Sequence, residues 1–387
     1  MLEFELPINL VIGSEFQGLY IHVPFCSSRC SYCDFATDLE NTGERELYLA
    51  CLLDELTKFG HLPLALNTIY FGGGTPSILG PVGIQYILDA IRKLWKISEN
   101  SEITLEANPE TITRDVVRDY LVGGVNRFSV GIQSFNDDEL KYLGRKHLTS
   151  HNFEAMQILK ESGVRFNADL MLGIPLQTER SLQANIDALF DFGVKHVSAY
   201  MLSIEEDAPW YEAVQSGKIP LRSEVQTTKL YRACLSKLES RGLRRYEISA
   251  FAIPGQECRH NLKYWKNEDY LGVGPSAGSY LSGYRFQNKH TLKTWVSQIK
   301  NKESYEIFEY IHSKNAILDT IMLRFRLSEG LEASQLMRWC EEFPELELNS
   351  RMDRLEARGL VKKTSMSYRL SKKGFLFANE VFLEFLE

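Results

Sequence analysis

The stretch LYIHVPFCSSRCSYCDF, residues 19–35, starts as a run of aliphatic and aromatic residues and ends with three cysteines inside eight positions. The first half reads as a short strand, and the cysteines fall in the loop at its carboxyl end. The layout then recurs. TIYFGG (68–73), EITLEA (102–107), RFSVGI (127–132), FNADLM (166–171) and HVSAYM (196–201) read as five further strands. Between them lie segments with apolar residues at helical spacing, such as ELYLACLLDELTKF (46–59) and GIQYILDAIRKLW (83–95). Six strand-helix alternations imply parallel pairing with right-handed crossovers, in a doubly wound sheet, a barrel or a partial barrel.

In such α/β folds ligands sit at the carboxyl ends of the strands. Cys26, the glycines 72 to 74, Glu106, Gln133 and Asp169 each lie at or just beyond such an end. Five separate segments are therefore expected to converge on one mouth.

The chain has 387 residues, 44% apolar and 25% charged, which suits a globular protein with one large domain and a smaller one. A net charge of -7 and a pI near 5.8 give no overall attraction to nucleic acid or anionic lipid. The start MLEFELPINLVIG carries Glu3 and Glu5 where a secretory signal carries basic residues, and no stretch approaches ~18 consecutive apolar residues. The expected location is the cytoplasm, where clustered thiols more often hold metal than form disulfides. Cys51, Cys234, Cys258 and Cys340 are scattered and are expected to be small buried hydrophobes.

Beyond about residue 225 the pattern changes. A helix, TTKLYRACLSKLESRGL (227–243), precedes the aromatic and glycine-rich HNLKYWKNEDYLGVGPSAGSY (260–280). Helical runs from Ile317 onward lead to GLVKKTSMSYRLSKKG (359–374), two short extended runs around a polar turn. Helices followed by a hairpin predict a winged-helix-like module. Residues 314–387 hold twelve Lys and Arg against twelve Asp and Glu, so the module lacks the basic excess that would meet phosphates. A lid or docking role is expected instead.

Cys26, Cys30 and Cys33 form a CxxxCxxC pattern whose sulfurs suit zinc or an iron-sulfur cluster. Zinc needs a fourth ligand, for which His22 is the nearby candidate. A [4Fe-4S] cluster held by three thiolates instead leaves one iron open for chemistry. CxxxCxxC with an aromatic residue, Tyr32, before the last cysteine resembles the signature of radical S-adenosylmethionine (SAM) proteins. In that family the amino and carboxylate groups of SAM chelate the open iron, and one-electron reduction cleaves SAM to a 5'-deoxyadenosyl radical. The resemblance implies a partial (β/α)6 TIM-like barrel, with Cys26, Cys30 and Cys33 on the cluster. Gly73, Gly74 and Thr75 of FGGGTPS (71–77) would meet the SAM amino group. Through LEANPET, SVGIQSF and NADLMLGIPLQT, the residues Glu106, Gln133, Arg145 and Asp169 would line the SAM pocket, with Tyr20 against the methionine end. Carboxylates and an amide suit ribose hydroxyls and ammonium, and Arg145 suits a carboxylate.

YIHVPFC, GGGTPS and GIQSF together are similar to the oxygen-independent coproporphyrinogen dehydrogenase group, over nearly the whole chain. That group holds an enzyme that decarboxylates two propionates of coproporphyrinogen III, and a class of haem chaperones. The enzyme carries a further cysteine two residues past the third, where this chain has Phe35, and a longer N-terminal lead than the nineteen residues before Tyr20. RHNLKYW (259–265) matches the HNxxYW motif of the chaperone class, so His260, Asn261, Tyr264 and Trp265 are expected haem contacts. Where relatives often have a histidine in GxGxxAHG, this chain has Gly278. The implied organisation is a SAM and cluster core over 1–230, a connecting segment over 231–310, and a C-terminal winged-helix-like domain over 311–387. The implied partners are haem or a related tetrapyrrole, a haem-acceptor protein and a reductant such as flavodoxin or ferredoxin. Nucleic acid is not among them, and any membrane association would run through the acceptor.

Overall fold

A computed structural model describes residues 15–39, 42–303, 305–310 and 313–386; the N-terminal Glu3 and Glu5 lie outside these residues. Six parallel strands run in chain order: β1 (Gln17–Val23), β2 (Ala65–Gly73), β3 (Lys96–Ala107), β4 (Arg127–Gln133), β5 (Arg165–Leu172) and β6 (His196–Met201). They occupy the middle of a twelve-stranded sheet. Beyond β1 the parallel strand Tyr270–Val273 extends it, followed by the antiparallel strands Gly278–Leu281, Tyr284–Gln287 and Glu306–Tyr310. Beyond β6 come the antiparallel Ala250–Ala252 and Arg244–Arg245. The sheet does not close, so the barrel is partial, in agreement with the sequence.

Alternation along each strand divides its side chains between two environments. Leu19, Ile21 and Val23 of β1 have no exposed surface and belong to the main apolar core. They pack under crossover helices whose apolar faces follow a spacing of three and four. Ile84, Ile87, Leu88 and Ile91 of the helix Gly80–Leu94 are one such face. Burying each such side chain is worth about 1.5–3 kcal/mol, so this outer layer is a main source of stability. Local signals set the helix ends: Thr113 accepts from Val116 N at the start of Arg114–Gly123, and Gly124 ends it at φ 109°.

The inner face of the barrel is polar. Thr68 and Tyr70, Glu102 and Glu106, Arg127 and Ser129, Asn167 and Asp169, and His196 and Ser198 alternate onto it, and hydrogen bonds between strands connect them. Parallel register lines up levels of this interior, with Tyr20 beside Tyr70 and Glu106 beside Ser129.

A second apolar core, including Ile321, Phe325, Leu336, Met352, Leu355 and Val381, lies in the C-terminal part. There the helices Ser313–Arg326, Ala333–Glu342 and Leu348–Ala357 precede the strands Val361–Lys363 and Ser367–Leu370. The pair forms the expected hairpin, completed to three strands by Leu331–Glu332. This is the winged-helix-like arrangement. It meets the barrel through Asn267 Nδ2 donating to Thr320 Oγ1 (3.1 Å), Ser328 N donating to Tyr246 O (2.9 Å), and the Arg326 guanidinium 4.2 Å over the Trp265 ring. Of the scattered cysteines, Cys51, Cys234 and Cys258 are buried. Cys340 is only partly so, because its helix packs one side on the second core and leaves the other to solvent.

Candidate functional site

At the carboxyl ends of the strands lies a cavity of ≈ 390 Å³. Cys26, Cys30, Tyr32 and Cys33 border it from the loop after β1, and Gly73, Gly74 and Thr75 from the end of β2. Glu106, Gln133, Arg145 and Asp169 complete the expected set. Tyr20 does not line it; its ring lies one layer deeper beside Tyr70, and its hydroxyl meets His22 Nδ1 at 3.1 Å.

The three cysteines are partly exposed. Cys26 Sγ lies 3.6 Å from Thr75 Oγ1, and Arg145 Nη1 donates to Cys30 Sγ at 3.4 Å. Among the described residues no group of three Cys, His, Asp or Glu side chains is already gathered around one point. The loop therefore presents its thiols around the mouth without closing on a centre. His22 gives no fourth ligand, since both ring nitrogens are engaged, Nε2 with Ala36 O at 2.9 Å and Nδ1 with Tyr20 OH at 3.1 Å.

The glycines permit close approach. A Cβ on Gly74 would stand 2.6 Å from the Phe25 carbonyl oxygen, and one on Gly73, at φ 112°, would strike the His22 ring at 2.7 Å. Gln133 takes φ 62°, a left-handed conformation that a non-glycine residue seldom adopts, at the lip of the cavity.

The electrostatics are unbalanced toward negative charge. Glu106 accepts from Tyr70 OH (2.7 Å) and Gly73 N (3.2 Å), yet burial, with Asp169 nearby, pushes its pKa up to about 7. Asp169 accepts from Ser129 Oγ (3.2 Å) and Asn167 Nδ2 (2.8 Å), and burial raises its pKa too. Arg145 is committed elsewhere, to Cys30, Asn108 Oδ1 (2.7 Å) and Gly131 O (3.1 Å). Two carboxyls facing the cavity, with the lining Arg145 bonded to Cys30 and Asn108 and not to them, fit a ligand with ammonium or sulfonium charge. Thiols at the rim and glycine backbone between them fit a cluster bound next to that ligand. The donor types at this mouth and the glycine backbone between them thus suit SAM and a [4Fe-4S] cluster.

Sequence reasoning missed Asn108, which joins Arg145 to Thr75 Oγ1 (3.2 Å), and Tyr70, which holds Glu106. The signal was present: Asn108 and Tyr70 stand two residues from positions already singled out on the same alternating face.

The expected haem residues lie at the opposite, amino end of the barrel, on the helix Arg259–Lys266. They form no single open face. His260 has no exposed surface, and its two ring nitrogens meet Thr68 Oγ1 and Tyr264 OH, each at 2.8 Å. Asn261, Tyr264 and Trp265 are half-buried. Beneath this helix the floor of the barrel is a dense polar network, in which Glu102 Oε2 has ion-pair partners but no hydrogen bond. Glu102 accepts from His260 N (3.1 Å) and lies between Arg165 and Arg127, 3.5 and 4.0 Å away. Arg127 donates to Asn167 Oδ1 and His196 Nδ1. The GVGPSAGS stretch is packing, for a Cβ on Gly274 would lie 2.4 Å from the His22 carbonyl oxygen, and Gly278 begins a strand.

Residues 20–189 match the radical SAM superfamily model. The heme chaperone HemW of Bacillus subtilis (strain 168) is 32% identical, over 96% of this chain and 99% of that protein.

This chain belongs to the HemW family of radical SAM proteins.

The HemW of Escherichia coli (strain K12) is 31% identical, over 95% of this chain and 98% of its own. The structure of coproporphyrinogen III oxidase (HemN) from Escherichia coli superposes with a TM-score of 0.83 at 22% identity, covering 96% of this chain and 90% of that one. That likeness is one of fold. In this HemW-family chain the loop carrying the cysteines ends in Phe35, 59% exposed at the cavity mouth. No helix among the described residues is long and apolar enough to cross a membrane.

Proposed function

We infer that this protein is a haem chaperone of the radical SAM superfamily, which binds haem and passes it to an acceptor protein. The observation that carries this reading is the end-to-end match to HemW relatives, at 32% identity over 96% of this chain. Phe35 at the mouth supports it, since no further thiol stands at that position.

In this reading Cys26, Cys30 and Cys33 hold a [4Fe-4S] cluster, and the backbone at Gly73 and Gly74 with Thr75 and Glu106 receives the SAM amino group. Gln133 and Asp169 take the ribose hydroxyls, and Arg145 the carboxylate. Tyr32 covers the cluster side, and Tyr20 supports the floor of the pocket. When bound, the cluster supplies an electron for SAM cleavage. The protein's own part is to orient SAM and to keep Glu106 ionised beside an ammonium. Asn261, Tyr264 and Trp265 offer haem an aromatic edge on the floor helix, with His260 behind it. The parts fall into a core over 1–230, a connecting segment over 231–310 and a docking domain over 311–387. A reductant such as flavodoxin or ferredoxin would serve the cluster.

The test is anaerobic reconstitution followed by haem titration, transfer to an apo-acceptor and a coproporphyrinogen assay. A saturable Soret shift with haem transfer is expected. Conversion of coproporphyrinogen to protoporphyrinogen would assign the chain to decarboxylation instead.

A further inference from the structure

The HNLKYW helix lies at the floor of the barrel, yet its histidine reaches toward the cavity at the other end. His260 stacks on Tyr70, with ring centroids 5.2 Å apart and planes at 23°. Tyr70 in turn donates its hydroxyl to Glu106 Oε1 at 2.7 Å, and Glu106 lines the cavity. The histidine ring cannot rotate freely. Thr68 of β2 holds Nδ1, Tyr264 holds Nε2, and Tyr20 stacks on it as well at 6.4 Å and 28°. From behind, Tyr264 is braced edge-on by Tyr270 at 4.6 Å, and its neighbour Trp265 carries Arg326 of the C-terminal domain over its ring. A continuous set of contacts thus runs from the domain interface through Tyr264, His260 and Tyr70 to Glu106.

The backbone amide of His260 donates to Glu102, so the ring is anchored at both ends. An imidazole held in this way acts as a wall that fixes the neighbouring phenol. Tyr70 needs that wall, because a hydroxyl aimed at a carboxylate keeps a short bond only while its ring is confined.

We propose that His260 is a positioning residue for the SAM cavity: by stacking on Tyr70 it fixes the hydroxyl that orients Glu106, and so ties the HNxxYW helix to SAM binding. This rests on reading the cavity as the SAM site. The motif then has an inward task, distinct from haem contact at its outer edge.

The experiment measures the SAM dissociation constant of the anaerobically reconstituted protein, from the change SAM makes in the EPR spectrum of the reduced cluster. Haem affinity is measured in parallel from the Soret band. His260→Ala is expected to weaken SAM about tenfold, the scale of one well-placed hydrogen bond. His260→Phe, which keeps a flat ring against Tyr70, is expected to recover most of that loss. Tyr70→Phe removes only a hydroxyl, preserves the fold and is expected to match His260→Ala. The double variant should be no weaker than either single one, since both act through the same bond. Unchanged SAM affinity in His260→Ala, multiplicative losses in the double variant, or a loss confined to haem would each overturn the proposal. Glu106→Gln separates the two levels: if it leaves SAM affinity intact, the SAM reading of the cavity itself fails.

Discussion

The two ends of the barrel are both polar, but they treat charge in opposite ways. At the floor, Glu102 is flanked by Arg127 and Arg165, Arg127 bonds Asn167 and His196, and Arg127 and Glu102 are each 2% exposed. At the mouth, Glu106 and Asp169 face a cavity with their pKa values raised, and the thiols stand partly exposed. A buried network serves structure; one that faces a cavity is a place for a ligand. Polarity alone does not distinguish them, and neither does hydrogen bonding, since Glu106 and Asp169 are bonded while Glu102 Oε2 has only ion-pair partners; facing the cavity does.

The contrast can be broken most severely at Arg127. Arg127→Met leaves Glu102 only the half-buried Arg165 and takes the donor from Asn167 Oδ1 and His196 Nδ1, and is expected to cost about 3–5 kcal/mol in denaturant unfolding. A cost under about 1 kcal/mol would mean that the floor is not a mutually dependent network.

At the mouth the sign reverses. In the cluster-free protein the Glu106 carboxyl keeps its proton to about pH 7, while the unfolded chain releases it near 4.5. The native state therefore binds more protons across that window, and wild-type stability falls relative to Glu106→Gln as pH rises through it. The expected difference is about 2 kcal/mol, allowing for the partial access of solvent to this group. Parallel unfolding curves at pH 5 and 7.5 check it, and a constant gap would contradict it.

His196 sharpens the floor side. Burial, with Arg127 and Arg165 nearby, lowers its pKa well below the ordinary value, so folding favours its neutral form. Wild-type stability relative to His196→Gln should be fully present above pH 6.5 and decline as pH falls below it. A gap that widens on acidification would show that the ring is protonated in the folded state. The smallest effect is expected at exposed Phe35, where Phe35→Ser should change stability by less than about 0.5 kcal/mol. A larger loss would give that side chain a packing role at the mouth.

Much of the mouth was legible in the sequence because its residues sit at strand ends, where period-two patterning and loop chemistry coincide. Cys26, Gly73, Glu106 and Asp169 could be placed there from one strand apiece. The floor was harder to read. Its bonds join residues far apart, such as His260 N to Glu102 across 158 positions and Lys263 Nζ to Phe16 O across 247. In RHNLKYWK the buried residues of the helix are His260 and Lys263, polar types that helical patterning assigns to the surface. They are inside because distant partners satisfy them, and no local pattern carries that information. Tyr70 is intermediate: its place on the same face as Gly72 was legible from alternation, but its bond to a carboxylate of the next strand was not.

The most direct test is haem titration of the anaerobically reconstituted wild-type protein and of its Cys26, Cys30 and Cys33 to Ala variant, each followed by transfer to an apo-acceptor. The account predicts a saturable Soret shift in the wild type, haem delivered to the acceptor, and loss of the iron-sulfur absorption in the variant. Absence of any Soret shift in the fully reconstituted protein would contradict it.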